Sequence, residues 1–269
     1  MPWQGNGWKP TSITRYIRSL RTSTGVAIVD TDCGEGFLKA LSNPEGPHVL
    51  GCELVGSLLA DWIGLPTLDV AIVDVSDDDE IPLATGGKAG IGPAFISRRV
   101  NGASWGGDID SLRLVDISED ISRMILFDTW VRNCDRYRPE PRRRNLDNVF
   151  YVRHYETDRS QVVLTAIDHT HAFTCGRELS RRIAHIDAVQ DELTYGEFPE
   201  FTELRNLAVE AAVRQRLHEM DIAEAQRFVG MVPATWVEDV EVKAAWASFI
   251  AGRAGFLARP AATADGRNH

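Results

Sequence analysis

Three oxygen-bearing side chains, Asp135, Asn148 and Asp168, stand in that order between residues 127 and 173 of this 269-residue chain. Asp135 follows a helical pattern in FDTWVRNCDR, Asn148 sits directly before the apolar run VFYV, and Asp168 ends a second run, VVLTAI. Two carboxylates and an amide at element ends suit a metal–nucleotide site. A triphosphate repels any carboxylate nearby, by about 4 kcal/mol per unit pair at 4 Å and an effective dielectric near 20. Two aspartates therefore share such a site only where a divalent cation bridges protein and phosphate. Mg²⁺ takes hard oxygen ligands, commonly carboxylate, waters and phosphate oxygens. Asp168 and Asn148 offer that set, with Asn145 as the alternative amide. Asp135 is left to accept or orient the proton of an attacking hydroxyl.

A cation must hold the phosphates that are not transferred. Lys39 lies inside the short apolar run FLKAL. A lysine buried there needs a partner, and Glu53, at the start of the next helical face, supplies one. An edge-strand lysine with a surface glutamate explains the same two residues taken alone. Together with the 127–173 segment, the paired reading is preferred.

The elements that carry these residues follow from periodicity and turn chemistry. Val26–Val29 and Phe37–Leu41 read as strands flanking the turn cluster TDCGEG. Residues 11–22 fit a helix or a strand. Leu50, Leu54, Leu58 and Trp62 recur every four residues, which predicts a helix over 49–63 ended by Gly64 and Pro66. Leu68–Val75 and Ala94–Val100 are strand-like, separated by the glycine-rich TGGKAGIGP. Helical spacing returns over 116–133, followed by a proline-bearing loop over 134–147 and a hairpin of 148–152 with 162–167. Further helices are expected near 178–189, 200–218, 221–230 and 235–257, and a disordered tail over 259–269. The first ten residues form an arm that is either flexible or pinned by Trp3 and Trp8.

The ordered set resembles the HipA-like kinase family and, more distantly, the phosphatidylinositol 3/4-kinase-like superfamily. FLKAL is similar to the strand bearing the ATP-binding lysine. CELVGSLLADWIGLP resembles the helix whose glutamate pairs with it, and GPAFISRRV the hinge strand. FDTWVRNCDR resembles the catalytic helix and loop, and IDHTHAF stands where the second metal-binding aspartate is found. The resemblance spans about residues 25–175. It implies an α+β, two-lobed protein-kinase-like fold with lobes at 1–97 and 98–258, and ATP with Mg²⁺ in the cleft. It also implies γ-phosphoryl transfer to a hydroxyl, with a protein Ser/Thr as the acceptor. The implied roles are Lys39 on phosphate, Glu53 on Lys39, Asp135 on the acceptor and Asn148 and Asp168 on metal. Phe95, Ile96 and Ser97 would contact adenine, largely through backbone groups.

The chain departs from the family pattern in three places. Twelve residues separate Asp135 from Asn148 where the family has a few, Tyr137 replaces the usual His after Asp-Arg, and Asp168-His169-Thr170 stands at the DFG-like position. These leave room for a pseudokinase or interaction module, and for a small-molecule or lipid-headgroup kinase. The inserted loop carries Arg136, Arg138, Arg142, Arg143 and Arg144, which read either as a solvated loop or as contacts for an anionic acceptor.

Other chemistries fit less well. Ser23-Thr24-Gly25 could cradle phosphate through backbone N–H groups, although a plain turn explains it equally. TGGKAGIG lacks the GKS or GKT of a P-loop and its following helix. His169 and His171 with Asp168 and Cys175 suggest zinc, but no second cluster has ligand spacing. No GxSxG elbow is present. The net charge of −10 argues against broad nucleic-acid binding. Four dispersed cysteines, no signal-like N-terminus and no long apolar run lead to the expectation of a cytoplasmic protein.

Overall fold

The computed structural model describes residues 7–113, 118–156 and 159–259. Five strands, β1 (Ile13–Ser19), β2 (Ala27–Thr31), β3 (Gly34–Leu41), β4 (Val70–Val75) and β5 (Gly90–Arg98), form one antiparallel sheet in the order β1-β2-β3-β5-β4. The ambiguous segment 11–22 is thus a strand, held by pairing with β2. Period-2 alternation divides the sheet's faces. Leu38, Ala94 and Ile96 point into one core with Trp8, Val29, Val73 and Ile81. Trp8 also donates its indole N–H to Cys33 O at 2.9 Å, which pins the arm just before β1. Trp3 lies outside the described residues. Phe37, Lys39, Phe95 and Ser97 occupy the opposite face.

Against that face lies helix α1 (His48–Trp62). Nearly all of it from Val49 to Ala60 is buried, as expected of a helix that is apolar all round. Each fully buried Leu or Val contributes about 1.5–3 kcal/mol. The helix ends in a Schellman motif: Gly64 takes φ +77°, its N–H donates to Asp61 O, and the Leu65 N–H reaches back to Ala60 O.

The helical part begins with α2 (Ile109–Arg113) and α3 (Ser118–Val131). The start of the predicted 116–133 helix falls partly outside the described residues. A three-stranded sheet follows, in the order β10 (Arg159–Ala166), β9 (Val149–Glu156), β6 (Gly102–Ser104). β6 had no sequence signal, because a three-residue strand shows no period. The loop 134–147 is not structureless: β7 (Tyr137–Arg138) pairs with β8 (Arg143–Arg144).

The stretch near 178–189 forms only a 3-10 turn (Arg181–Ala184) and the four-residue α4 (Ile186–Val189). The 200–218 helix is broken into a 3-10 segment (Pro199–Leu204) and α5 (Leu207–Leu217), with Asn206 capping the latter through its side chain. α6 (Ile222–Gly230) and α7 (Val240–Leu257) complete the order. The last helix starts five residues later than predicted, at the Asp239 cap, which accepts from the N–H groups of Glu241 and Val242. The expected disordered tail lies, from residue 260 on, outside the described residues.

Contacts away from the cleft also tie the sheet to the helical part. Thr67 bridges Ala166 in parallel and donates its hydroxyl to Ala166 O at 3.1 Å. Trp236 donates its indole N–H to Pro93 O at 2.9 Å.

Candidate active site

The cleft lies between the five-stranded sheet and the β9–β10 hairpin and encloses about 820 Å³, including space open to solvent. Its walls are apolar at one end, with Leu20, Val26, Phe37, Val70, Phe95 and Phe150. Lys39, Glu53 and Asp168 make the other end polar.

Lys39 is buried and uses its ammonium fully. Nζ contacts Glu53 Oε1 directly and donates to Thr170 Oγ1 at 2.8 Å and Asp168 Oδ1 at 3.2 Å. Burial disfavours its charge, but the carboxylates of Asp168 and Glu53 outweigh burial and raise its pKa. Glu53 also accepts from the Thr170 hydroxyl at 2.6 Å and the His169 N–H at 3.0 Å. The paired reading of Lys39 and Glu53 therefore holds, and the edge-strand alternative does not.

Asp168 has left-handed backbone, φ +57°, which is uncommon outside glycine and costs about 1–3 kcal/mol. Phe173 and Cys175 share it, at +69° and +52°. The carboxylate of Asp168 is 40% exposed, into the cleft. Burial would raise its pKa, yet Lys39 and the hydrogen bonds around it hold it well below the usual carboxylate range.

The strand ends that precede Asp168 and follow Asn148 lie side by side, because an antiparallel hairpin brings the start of one strand to the end of the other. Val149 pairs with Ala166, and the Ile167 N–H lies 3.5 Å from Asn148 O. Arg136 clamps this junction. Its Nη1 contacts Asn148 O directly and donates to Ile167 O at 3.0 Å, while Nε donates to Asp128 Oδ2 at 2.8 Å. Asp128 lies on α3 and also accepts from Asn133 Nδ2 at 3.1 Å. Asn133 Oδ1 in turn accepts the Asp135 N–H at 3.3 Å. The Asn-x-Asp-Arg spacing thus lets one buried carboxylate set the backbone of Asp135 and the strand ends behind Asn148 and Asp168.

Asp135 Oδ2 accepts from both Asn145 Nδ2 and Asn148 Nδ2, each at 2.9 Å. Both candidate amides therefore converge on one oxygen, with Asn148 the more buried of the two. Asp135 Oδ1 lies 2.5 Å from Arg143 Nη2 and 3.5 Å from His171 Nδ1, without an aligned hydrogen bond to either. Burial pushes the Asp135 carboxyl up, but His171, Asn145 and Arg143 together hold it low.

Several expectations need correcting. Arg136 is fully buried and pairs with Asp128, so it cannot reach an acceptor. Arg144 pairs with Glu200 and packs over Phe198. Ile96 faces the core on the far side of the sheet, because alternation turns it away from Phe95 and Ser97. β5 is paired on both sides, with β3 and β4, so the backbone groups of Phe95–Ser97 serve the sheet rather than a ligand. Phe95 and Ser97 line the cleft with their side chains, and Val100 lines it just beyond the strand.

Some of the network had no role assigned from sequence. His171 bridges Glu45 and Asp135, and Thr170 joins Lys39 to Glu53. Asp128 was detectable as a carboxylate inside the apolar pattern ILFDTWV. His169, considered for zinc, is buried against Phe127 with burial lowering its pKa to about 3. It is a neutral packing residue, whereas its neighbour His171 turns to the carboxylates.

The donor set fits Mg²⁺. Among the described residues no group of three or more His, Cys, Asp or Glu could hold a metal. Mg²⁺ needs no such cage, since it keeps waters and takes phosphate oxygens beside one or two protein ligands. Asp168 and the two asparagines carry oxygen donors of that kind. No described helix is long and apolar enough to cross a membrane. No curated protein matches the chain. A family model described as HipA-like kinase matches residues 37–254, more than half of the chain and a span that includes Lys39, Glu53, Asp135, Asn148 and Asp168.

Proposed function

The chain belongs to the HipA-like kinase family, and on that basis we propose that it binds ATP in this cleft and transfers the γ-phosphoryl group to a protein Ser/Thr hydroxyl. The observation that carries the reading is Lys39, on the sheet, bonded at once to Glu53 and to Asp168 across the cleft. The adenine ring occupies the apolar end between Val26, Phe95 and Phe150, with the backbone near Val100 at its edge. The triphosphate runs toward Lys39, whose ammonium exchanges part of its present pairing for phosphate oxygens.

Asp168 and Asn148 hold Mg²⁺, with Asn145 as the alternative amide. When bound, the ion neutralises charge on the phosphates. Asp135 orients the acceptor hydroxyl and takes its proton. The new bond joins the acceptor oxygen to the γ-phosphorus, and the bond from that phosphorus to the bridging oxygen breaks, leaving ADP. Arg138, Arg142 and Arg143 face the acceptor side, and the first lobe ends near residue 97.

A second reading is favoured by one contact: Arg143 sits 2.5 Å from the Asp135 oxygen that an acceptor would need. A nucleotide-binding module without transfer would look the same. Thermal melts with ATP, with and without Mg²⁺, test binding. Ligand at about 100 times Kd stabilises by about 2.7 kcal/mol, and Asp168→Asn should remove the Mg²⁺-dependent part. Incubation with γ-labelled ATP then separates the readings. Transfer by wild type that is lost in Asp135→Ala and Lys39→Met supports the kinase. ATP binding with neither transfer nor hydrolysis leaves the binding module.

A further inference from the structure

We propose that His171 is a positioning residue for phosphoryl transfer, linking the Asp135 carboxylate to Glu45 on the sheet side of the cleft. The proposal rests on the kinase reading above. One imidazole spans two carboxylates: Nε2 lies 2.8 Å from Glu45 Oε2, and Nδ1 lies 3.5 Å from Asp135 Oδ1. His171 Nδ1 and Asp135 Oδ1 are both buried and both lack an aligned hydrogen bond. A small rotation of either side chain, or a hydroxyl placed between them, would satisfy both atoms.

Both ends of this bridge are anchored. The His171 carbonyl accepts the Cys175 N–H at 3.1 Å. Its neighbour Thr170 is fixed by Lys39 and Glu53. Glu45 sits in a turn organised by the buried Asn43, whose Oδ1 accepts the Glu45 N–H at 3.0 Å. Asn43 Nδ2 donates to Gly46 O at 3.0 Å and to Ala40 O at 3.2 Å. Ala40 adjoins Lys39 on β3. The strand that carries the phosphate-holding lysine therefore also anchors, through Asn43, the turn that carries the glutamate reaching His171. Two cross-cleft contacts leave this strand and the turn that follows it: Lys39 to Asp168 and, through His171, Glu45 to Asp135. Seating the strand over the nucleotide sets both aspartates together, and loss of the second contact would leave ATP held and the acceptor carboxylate loose.

The charges around the ring agree with this. Asp135 and Glu45 face it from the two sides, His48 is the other imidazole nearby and is held toward its neutral form by burial, and Arg143 reaches only the Asp135 side. The Asp135 carboxylate 3.5 Å away, against the opposing effect of burial and with help from Glu45, raises His171 to about 9. The ring is therefore a cation at neutral pH that donates toward both carboxylates.

The test uses the full chain with γ-labelled ATP, in wild type, His171→Gln and Glu45→Gln. For His171→Gln the expected result is a fall in kcat of about 10–100-fold, the range typical of orienting groups, with KM for Mg·ATP changed less than about threefold. Wild type should lose activity as pH rises past about 9. Glu45→Gln, which keeps the ring, should move that alkaline limb to lower pH, and His171→Gln should abolish it. Titration of the His171 ring by NMR gives a readout that needs no turnover, and its midpoint should fall in both Glu45→Gln and Asp135→Asn. An active wild type with kcat unchanged in His171→Gln, or a limb and a ring titration that stay put in Glu45→Gln, overturns the proposal alone. A wild type that binds ATP and transfers nothing overturns the kinase reading, and the positioning role with it.

Discussion

Replacing Arg136 by Met tests whether this arginine is structural, as its burial states, or part of the acceptor surface, as the arginine-rich loop suggested. The side chain is fully buried and its Nε pairs with Asp128, also fully buried, at 2.8 Å. Removing one partner of a buried pair costs about 3–5 kcal/mol, because the other charge is left without compensation. The carbonyls of Asn148 and Ile167 lose their donor as well, which adds about 1–3 kcal/mol if nothing replaces it. The expected loss is roughly 4–8 kcal/mol. Unfolding entropy near 2.1 cal/mol/K per residue gives roughly 0.55 kcal/mol per degree for this length, so Tm should fall by roughly 7–15 °C.

Thermal and urea melts measure that loss. Asp128→Asn in the Arg136→Met background removes the stranded charge and should recover part of it. Arg142→Ala, on the exposed part of the loop, is the control and should stay within about 1 °C of wild type. A melt of Arg136→Met within about 2 °C of wild type, or no recovery on adding Asp128→Asn, would refute the clamp. A selective rise in acceptor KM without loss of stability would return Arg136 to the acceptor surface.

Three further outcomes follow from the same geometry. A Cβ on Gly56 would lie 2.5 Å from His169 Cβ, whereas one on Gly51 meets Val232 Cγ1 at 3.2 Å; Gly56→Ala should cost at least about 1–3 kcal/mol and weaken Mg²⁺-dependent ATP stabilisation more than Gly51→Ala does. The folded-state pKa of His171 is raised to about 9, so it contributes stability, about 1–2 kcal/mol once its partial exposure is allowed for, that is present below about pH 6.5 and is lost as pH rises toward the folded value; urea midpoints at pH 6 and 9.5 should show this loss, and His171→Gln should flatten it. Arg143→Ala leaves the fold intact, since the side chain is 56% exposed, and frees Asp135 Oδ1; peptide kinetics should show faster transfer to neutral acceptors and weaker use of acidic ones.

Much of the fold could be read along the chain because its elements are locally coded. The four-residue spacing of α1, the Gly-Leu-Pro stop and the alternating β3 each reflect a single periodicity acting over a few residues. The short elements could not be read this way. β6 and the β7–β8 pair exist only because partners from elsewhere in the chain satisfy their backbone groups, and Asn206 splits a helix that periodicity alone would continue. Among the candidate site residues, the Lys39–Glu53 pairing and the places of Asp135, Asn148 and Asp168 at element ends were legible because residue types and order are tied to local elements. Ile96 was misread because a backbone role was assigned to residues whose strand is paired on both sides.

By itself the sequence determined which groups are available and in what order: a lysine inside an apolar strand, a glutamate on the next helix, and two carboxylates with two amides at element ends. Tertiary structure decided which of them meet. Arg136 and Arg143 are seven residues apart in one arginine-rich loop, yet one is sealed behind the site and the other touches Asp135 from solvent. His169 and His171 are two residues apart, yet one packs neutral on Phe127 and the other holds two carboxylates. Residue type sets what a side chain can do, but its charge state and partners depend on burial and on groups brought from distant positions, and these exist only once the chain has folded.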